Sequence, residues 1–421
     1  MRIAFVATRL AGVDGVSLEV AKIATVLPRL GHEVFYCAGE LEPGSPPGRL
    51  IPEMHFRHPS IQDVQRDAFS GTDLRPALDA EIQRLADALR APLRAFVDDF
   101  AIDVLCVHNA LCIPMHLPLG VALTDLVAET GIPTLAHNHD FYWERERFLV
   151  NRVPRILKRA FPPILPSVRQ IVINTVMQRE LWARSGVQPT VIPNVFDFEN
   201  PPAPPDDYSD GFRADLGFAP DDVILLQPTR LIARKGMERA IDLVAMLGDD
   251  RVYRYVVTGE PGDEPGPYAG WLREYAERAG IHVHWIGDRI GAQRGERDGK
   301  RIYALWDVYP QADIVTYLSR YEGFGNALLE TLYFRKPLIV NRYLPYRSDI
   351  GPAGVQAIEI DEYVTADTAR AVKALLADPA TVERMVEHNY RVGLVHFSHR
   401  ALEQGYGGLI AAIAAGRDAK I

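Results

Sequence analysis

Cysteine is scarce: Cys37, Cys106 and Cys112 are the three thiols in a chain of 421 residues. Three thiols cannot staple a chain of that length, which excludes a disulfide scaffold and reads as buried thiols in a reducing compartment. A basic excess is missing too. Lys and Arg number 46 against 55 Asp and Glu, a formal charge of −9, so nothing favours a nucleic-acid partner, which would call for the opposite sign. Long uncharged apolar runs are also rare. Residues 104–124 carry no formal charge, but His108, Asn109, Pro114, His116, Pro118 and Gly120 punctuate them. A bilayer core tolerates such residues poorly, so a buried strand, a loop and a helix start is the reading. The opening MRIAFVATRL lacks the long apolar region and the small-residue cleavage site of a signal peptide. A cytoplasmic chain is expected. With 48% hydrophobic and 24% charged residues, the composition is that of a globular protein with room for two or more domains.

What is present alternates. Residues 2–8, 33–38, 104–108, 133–137 and 170–174 are short, β-rich apolar runs, whereas 17–30, 76–100 and 175–185 are longer amphipathic stretches. Continuous apolar runs separated by helices predict a parallel sheet covered on both faces. From 192 to 211 the chain reads IPNVFDFENPPAPPDDYSDG, rich in Pro and Asp and without periodicity, which is linker composition. The alternation then restarts. Strands are predicted at 223–228, 253–259, 282–286, 314–317 and 337–341, with helices at 236–247, 268–279, 326–334 and 397–415. The expected architecture is α/β: two Rossmann-like, doubly wound domains, 1–205 and 206–395, with a linker at about 197–211. A terminal helix, 396–421, is expected to pack back toward the first domain. Two such domains facing each other across a hinge make a cleft, and ligands bind at the carboxyl ends of such strands.

Three segments carry chemistry. The first is EGFGNALLE, Glu322 to Glu330. Gly323 and Gly325 admit backbone N–H groups close to a ligand, and Asn326 opens a helix whose N-terminus suits a phosphate. Glu322 reads as a loop carboxylate whose removal leaves the fold intact; Glu330 falls on the second helical turn. A glycine pair with two solvated glutamates is the bland alternative. The second segment, RLIARKG from Arg230 to Gly236, follows a strand and opens a helix. An Arg forks onto phosphate oxygens and a Lys adds a point charge, although such runs are also ordinary basic turns. The third, GVDGVS from Gly12 to Ser17, lacks the third glycine of a dinucleotide fingerprint. It remains a turn of backbone donors at a helix start, with Ser17 as a plain N-cap in the structural reading.

Together these segments resemble glycosyltransferase family 4, retaining enzymes of GT-B fold, over essentially the whole chain. Glu322 to Glu330 matches the E-x7-E motif, and Arg230 with Lys235 matches the R-x4-K pair that precedes it. The resemblance implies transfer of a hexose from a GDP- or UDP-linked sugar, with retention, to form an α-glycosidic bond. It implies that Glu322 binds hydroxyls of the donor sugar and Glu330 the ribose. Arg230 and Lys235 would hold the diphosphate, with Gly15, Gly323 and the Phe324, Gly325 and Asn326 amides sharing its charge. Ile286 and Gly287 would grip the base through backbone contacts, and His139 would face the transferred sugar. No metal and no other cofactor is implied, because side-chain cations and helix dipoles do that work.

The segment HNHDFYWERERF, from His137 to Phe148, is weighed separately. His137 and His139 have a spacing that also occurs in metal-dependent hydrolases, with Asp140 and Glu144 near. No second cluster has ligand-like spacing, so no metal site is assigned, and His108 with Cys106 and Cys112 reads as strand-end burial. Tyr142 and Trp143 offer faces to a sugar ring, while Arg145 and Arg147 offer cations to an acid group. With Asp14 they form the expected acceptor wall; a surface helix start is the other reading. The partners expected are a nucleotide sugar and a small hydroxylated, acidic acceptor, loosely as in enzymes making mannosylglucosylglycerate-type solutes or of sucrose and trehalose type. Residues 145–169 are basic and apolar enough to keep a lipid-linked acceptor at a membrane surface as an alternative, against which the net charge weighs. A non-catalytic nucleotide-sugar-binding module is the remaining alternative. The oligomeric state is left open.

Overall fold

Runs such as IAFVA and VLCVH form strands because β-branched and aromatic side chains fit a pleated surface, and burial on both faces removes any need for alternation. The structure is a computed structural model describing residues 1–12, 14–260 and 267–418. It divides into two units, Met1–Pro193 with His399–Ile421, and Asn194–Ser398. The chain therefore passes between units inside the Pro-rich stretch and returns at His399.

The first unit holds seven strands: β1 (Arg2–Ala7), β2 (Glu33–Ala38), β3 (Gly48–Leu50), β4 (Val104–His108), β5 (Thr134–Asn138), β6 (Val168–Val172) and β7 (Thr190–Val191). All pairs are parallel, in the order β3-β2-β1-β4-β5-β6-β7. The order reverses between β1 and β4, the kind of point at whose carboxyl ends parallel sheets take ligands. In the helix Pro76–Asp99, Leu78, Ile82, Ala86, Leu89, Leu93 and Phe96 form one buried stripe at three- and four-residue spacing. The helix Leu117–Thr130 packs against it. Each such Leu or Ile stabilises the unit by about 1.5–3 kcal/mol. The helix His399–Asp418 belongs to this unit, burying Leu402, Tyr406, Ile410 and Ile413.

The second unit repeats the scheme with β8 (Val223–Gln227), β9 (Tyr253–Val257), β10 (Val283–Trp285), β13 (Ile314–Tyr317), β14 (Leu338–Asn341) and β15 (Ile358–Ile360). Its parallel order is β10-β9-β8-β13-β14-β15, so the reversal lies between β8 and β13. A separate antiparallel hairpin joins β11 (Gly295–Arg297) to β12 (Lys300–Ile302).

The predicted elements differ from the observed ones mostly at their ends. The first helix starts at Gly15, two residues before the predicted start, because Asp14 and not Ser17 is its N-cap. It ends at Val26, and Pro28 sits in a tighter 3-10 turn, Leu27–Leu30. β6 lies two residues before the predicted run, and Asn174 instead caps the helix Thr175–Ser185 by accepting from the Met177 N–H. Among the described residues, no helix is long and apolar enough to cross a membrane.

Candidate active site

The reversal point of the second unit is built by a glycine. After β8 the chain makes a 3-10 turn, Ala233–Lys235, closed by Gly236 at φ 62°. A Cβ on Gly236 would stand 2.3 Å from the Leu318 carbonyl oxygen, so only glycine lets this turn lie against the end of β13. That approach brings two cations onto Glu322. Lys235 Nζ donates to Glu322 Oε1 at 2.5 Å, and Arg234 Nη1 donates to Oε2 at 2.7 Å. The Glu322, Lys235 and Arg234 side chains are 9%, 10% and 18% exposed. Burial alone pushes the Glu322 carboxyl up, but Lys235 and Arg234 outweigh it and hold the group below its ordinary value. Burial also pulls the Lys235 ammonium down, partly offset by Glu322. Two cations and one carboxylate leave a surplus positive charge, which suits an anion.

Two sequence expectations change here. Glu322 is not a solvated loop carboxylate, because it is the counter-charge of two nearly buried cations. Arg234, which sequence reasoning left aside, takes the place on Glu322. Arg230 is exposed, yet its charge contributes to lowering the Lys235 pKa.

The next turn presents a helix start. Gly325 has φ 138°, and a Cβ there would meet the Tyr343 hydroxyl at 2.5 Å. That hydroxyl donates to the Phe324 carbonyl at 2.7 Å, and the buried Phe324 ring packs edge-on against Phe397. Phe324 is thus a core anchor, and the polar surface here is backbone. Among the described residues, no side chain caps the helix Asn326–Tyr333, so its first amides form an electropositive end. The Asn326 side chain accepts from Asn194 Nδ2 at 2.8 Å. Glu330 accepts from the Tyr309 hydroxyl at 2.7 Å, which fixes a carboxylate one turn in from the helix start. Beyond β10, the Ile286 N–H donates to the Val257 carbonyl. Gly287 opens another 3-10 turn, where a Cβ would stand 2.7 Å from Glu260 Cγ. These segments all follow carboxyl ends of strands in one sheet.

In the first unit, Asp14 caps the helix Gly15–Val26. Its Oδ1 accepts from the Val16 and Ser17 N–H groups, and its Oδ2 from the Ser17 hydroxyl and from Arg9 Nη2. Among the described residues other than its chain neighbours, nothing lies within 4 Å of a Cβ built on Gly15. His139 follows β5, and its N–H donates to Asn109 Oδ1 at 2.9 Å. Burial pushes its pKa down to about 4, so the ring is neutral at pH 7. Its Nε2 lies 3.1 Å from His108 Nδ1. His108, read from the sequence as strand-end burial, is thereby a neighbour of His137 and His139; parallel pairing of β4 with β5, invisible in linear spacing, makes it so.

The expected acceptor wall is already engaged. Trp143 stacks on Phe141 with ring centres 4.3 Å apart, and Arg184 lies 4.5 Å from its ring centre. Trp143 Nε1 donates to Glu180 Oε2 at 2.9 Å. The Tyr142 ring packs on the core of the unit and meets Trp143 edge-on. Arg145 pairs with Asp140 at 2.5 Å, and the exposed Arg147 lies 4.6 Å from the Phe148 ring centre.

Two switch-point sheets, one with a cation–carboxylate cage beside an uncapped helix start, are what a protein handling a phosphorylated ligand needs. Comparison with known proteins makes that class specific. Residues 13–200 match the model described as Glycosyltransferase Family 4, and residues 209–392 the model described as Glycosyl transferases group 1. The chain is 31% identical to the mannosylglucosylglycerate synthase of Thermotoga maritima, over 96% of this chain and 98% of that one. It is 30% identical to the enzyme of the same name from Petrotoga mobilis, over 86% of each. A solved glycosyltransferase from Rickettsia africae ESF-5 superposes with a TM-score of 0.69 at 12% identity, covering 98% of both chains. The protein is an enzyme of GT-B fold that transfers sugar from a nucleotide sugar. It belongs to glycosyltransferase family 4.

Proposed function

We propose that the enzyme transfers a hexose, with retention of configuration, from a GDP- or UDP-linked sugar to a small acidic glycoside, forming an α-linked product of the mannosylglucosylglycerate type. The observation that carries the reading is the Glu322 carboxylate clamped by Lys235 and Arg234 beside the helix start at Asn326. Each Glu322 oxygen accepts from one cation, and the carboxylate so held is the acceptor offered to the sugar hydroxyls. As the bond to the leaving diphosphate breaks, negative charge grows on its oxygens. Lys235, Arg230 and the amides at Gly323, Phe324, Gly325 and Asn326 stabilise that charge where it develops, which lowers the barrier. The electrostatic work is thus assigned to side chains and a helix end. Glu330 holds the ribose, and the backbone at Ile286 and Gly287 meets the base. The acceptor falls to the first unit, at Asp14, Tyr142, Trp143, Arg145 and Arg147, with His139 facing the transferred sugar. Relatives named for a glycerate product support an acceptor that carries a carboxylate, for which Arg145 or Arg147 is the partner.

The test is a matrix of nucleotide-linked mannose and glucose donors against glucosylglycerate and neutral glycosides, read by mass and by anomeric NMR couplings. An α-linked hexose added to the acidic glycoside is expected. A β-linked product, or transfer confined to neutral or lipid-linked acceptors, refutes the reading.

A further inference from the structure

The carboxyl ends of β4 and β5 gather three imidazoles. His108 closes β4 and pairs in register with His137 of β5, and His139 follows two residues later on the same side of the strand. The rings of His137 and His139 stack with centres 4.5 Å apart, and those of His108 and His137 stand 4.7 Å apart. The three residues are 1%, 2% and 8% exposed. One nitrogen from each lies within 4.8 Å of the other two, and His108 Nδ1 is 3.1 Å from His139 Nε2. That separation is close to the edge, roughly 3.3 Å, of a tetrahedron with zinc–nitrogen bonds of about 2.0 Å.

The remaining nitrogens of two rings are tied down. His108 Nε2 lies 3.4 Å from Cys106 Sγ, and His137 Nδ1 lies 2.6 Å from the Tyr406 hydroxyl. With protons on those outer nitrogens, the lone pairs fall on His108 Nδ1 and His137 Nε2. Outer partners of this kind fix the tautomer and orientation of metal-bound histidines. His137 Nε2 is buried and has no hydrogen-bond partner among the described residues. A buried polar atom without a partner is uncommon and costs free energy, so its partner is the question the cluster poses.

We propose that His108, His137 and His139 form a three-nitrogen site for a borderline divalent transition ion, zinc by its donor set. Imidazole nitrogens without a carboxylate suit zinc or cobalt and do not suit magnesium, which prefers oxygen. All three rings are buried, and it is the neutral imidazole that ligates. Three protein ligands leave one tetrahedral position for an oxygen from water or a hydroxyl group. The proposal shares His139 with the proposed function, but its metal readout does not depend on the Glu322 cage, whose residues belong to the second unit.

The experiment uses the full chain without a histidine tag. Elemental analysis after desalting is expected to find about one zinc per chain. Protein stripped by a strong chelator and titrated with Co²⁺ is expected to develop the visible bands of a four- or five-coordinate nitrogen site, displaced by zinc and unaffected by magnesium. His137→Gln and His108→Phe should abolish the bands. Tyr406→Phe, which removes only an outer partner, should weaken zinc binding by roughly 10–100-fold. The wild-type titration and Tyr406→Phe decide the matter even where a histidine variant fails to fold. Wild-type protein that holds no stoichiometric zinc and gives no cobalt bands overturns the proposal. So do bands that persist in both histidine variants, or an affinity that Tyr406→Phe leaves unchanged.

Discussion

Replacing Glu322 by Gln keeps the side-chain volume and removes the counter-charge of Lys235 and Arg234. All three side chains are at most 18% exposed, so water replaces little of the lost attraction. Removing one partner of a buried ion pair costs about 3–5 kcal/mol, because the other charge is left uncompensated. A Gln carbonyl still accepts one hydrogen bond, which places this substitution at the lower end, about 3 kcal/mol. For a unit of this size that is a fall of roughly 6–12 °C in its unfolding midpoint. The loss depends on pH with a definite sign. Burial already holds the Lys235 pKa below its ordinary value while Glu322 pulls it up. Without the carboxylate it falls further, so at alkaline pH the folded variant sheds the proton and the unfolded chain keeps it. The unfolded state then binds more protons, and the deficit shrinks as pH rises. Urea unfolding at pH 6 and pH 9, on wild type, Glu322→Gln, Lys235→Met and the double variant, measures all of this. The double variant should recover about 1–3 kcal/mol relative to the sum of the singles. A Glu322→Gln midpoint unchanged at pH 6, or strict additivity in the cycle, refutes the buried-cage argument.

Replacing Arg230 or Lys235 should lower kcat more than it raises KM for the donor, since the diphosphate charge they meet grows in the transition state. Steady-state kinetics showing an unchanged kcat with a raised KM would assign them to ground-state binding. Trp143→Ala or Arg145→Ala should impair transfer to acceptor while sparing slow hydrolysis of the donor by water, and equal loss of both reactions would move the acceptor elsewhere. His116 caps the helix Leu117–Thr130 through Nδ1 and meets the Glu53 carbonyl through Nε2, and burial pushes its pKa down to about 4. Its ordinary pKa is 6.5, so below that value the unfolded chain takes a proton that the folded one refuses. Its contribution is complete above pH 6.5 and falls by about 3 kcal/mol on reaching pH 4. A His116→Asn variant should lose that part of the acid dependence in denaturant titrations; an identical pH profile would contradict it.

Strands with continuous apolar runs were legible because burial on both faces writes itself into composition: β2, β4 and β13 fall where the runs do. Short edge strands were not. β3 and β7 have three and two residues, too few for a pattern to show. The hairpin β11–β12 is a different case. Its strands are largely charged and exposed, but Asp298 and Gly299 sit at φ 52° and 71°. An Asp-Gly pair with positive φ at both positions is the turn that two-residue hairpins prefer, so a signal was present and hydrophobic periodicity was the wrong instrument for it. At the site, the motif spacing located Glu322, Lys235 and Glu330 but could not report burial. Whether a carboxylate on a loop is solvated or serves as a counter-charge depends on which turn lies across it, and Gly236 decides that through its approach to Leu318.

The two sites both lie at carboxyl ends of parallel strands but are filled with opposite chemistry, and the difference follows from how each unit handles charge. In the second unit, charge is kept inside by pairing: Glu322 offsets the burial of Lys235 and Arg234 and leaves a surplus for an anion. In the first unit, charge is kept off the three rings themselves. His108, His137 and His139 lie too deep to carry protons near neutral pH, and Cys106 and Tyr406 supply neutral partners at their rims. A paired, surplus-positive site attracts a ligand that brings its own negative charge. A neutral, lone-pair-rich site attracts something electron-poor. Linear sequence displayed the first kind well, because charged residues in a glycine-rich run are conspicuous. It concealed the second, because His108 reaches its neighbours only through a parallel strand pairing 29 residues away, where the residues that share a site share no motif.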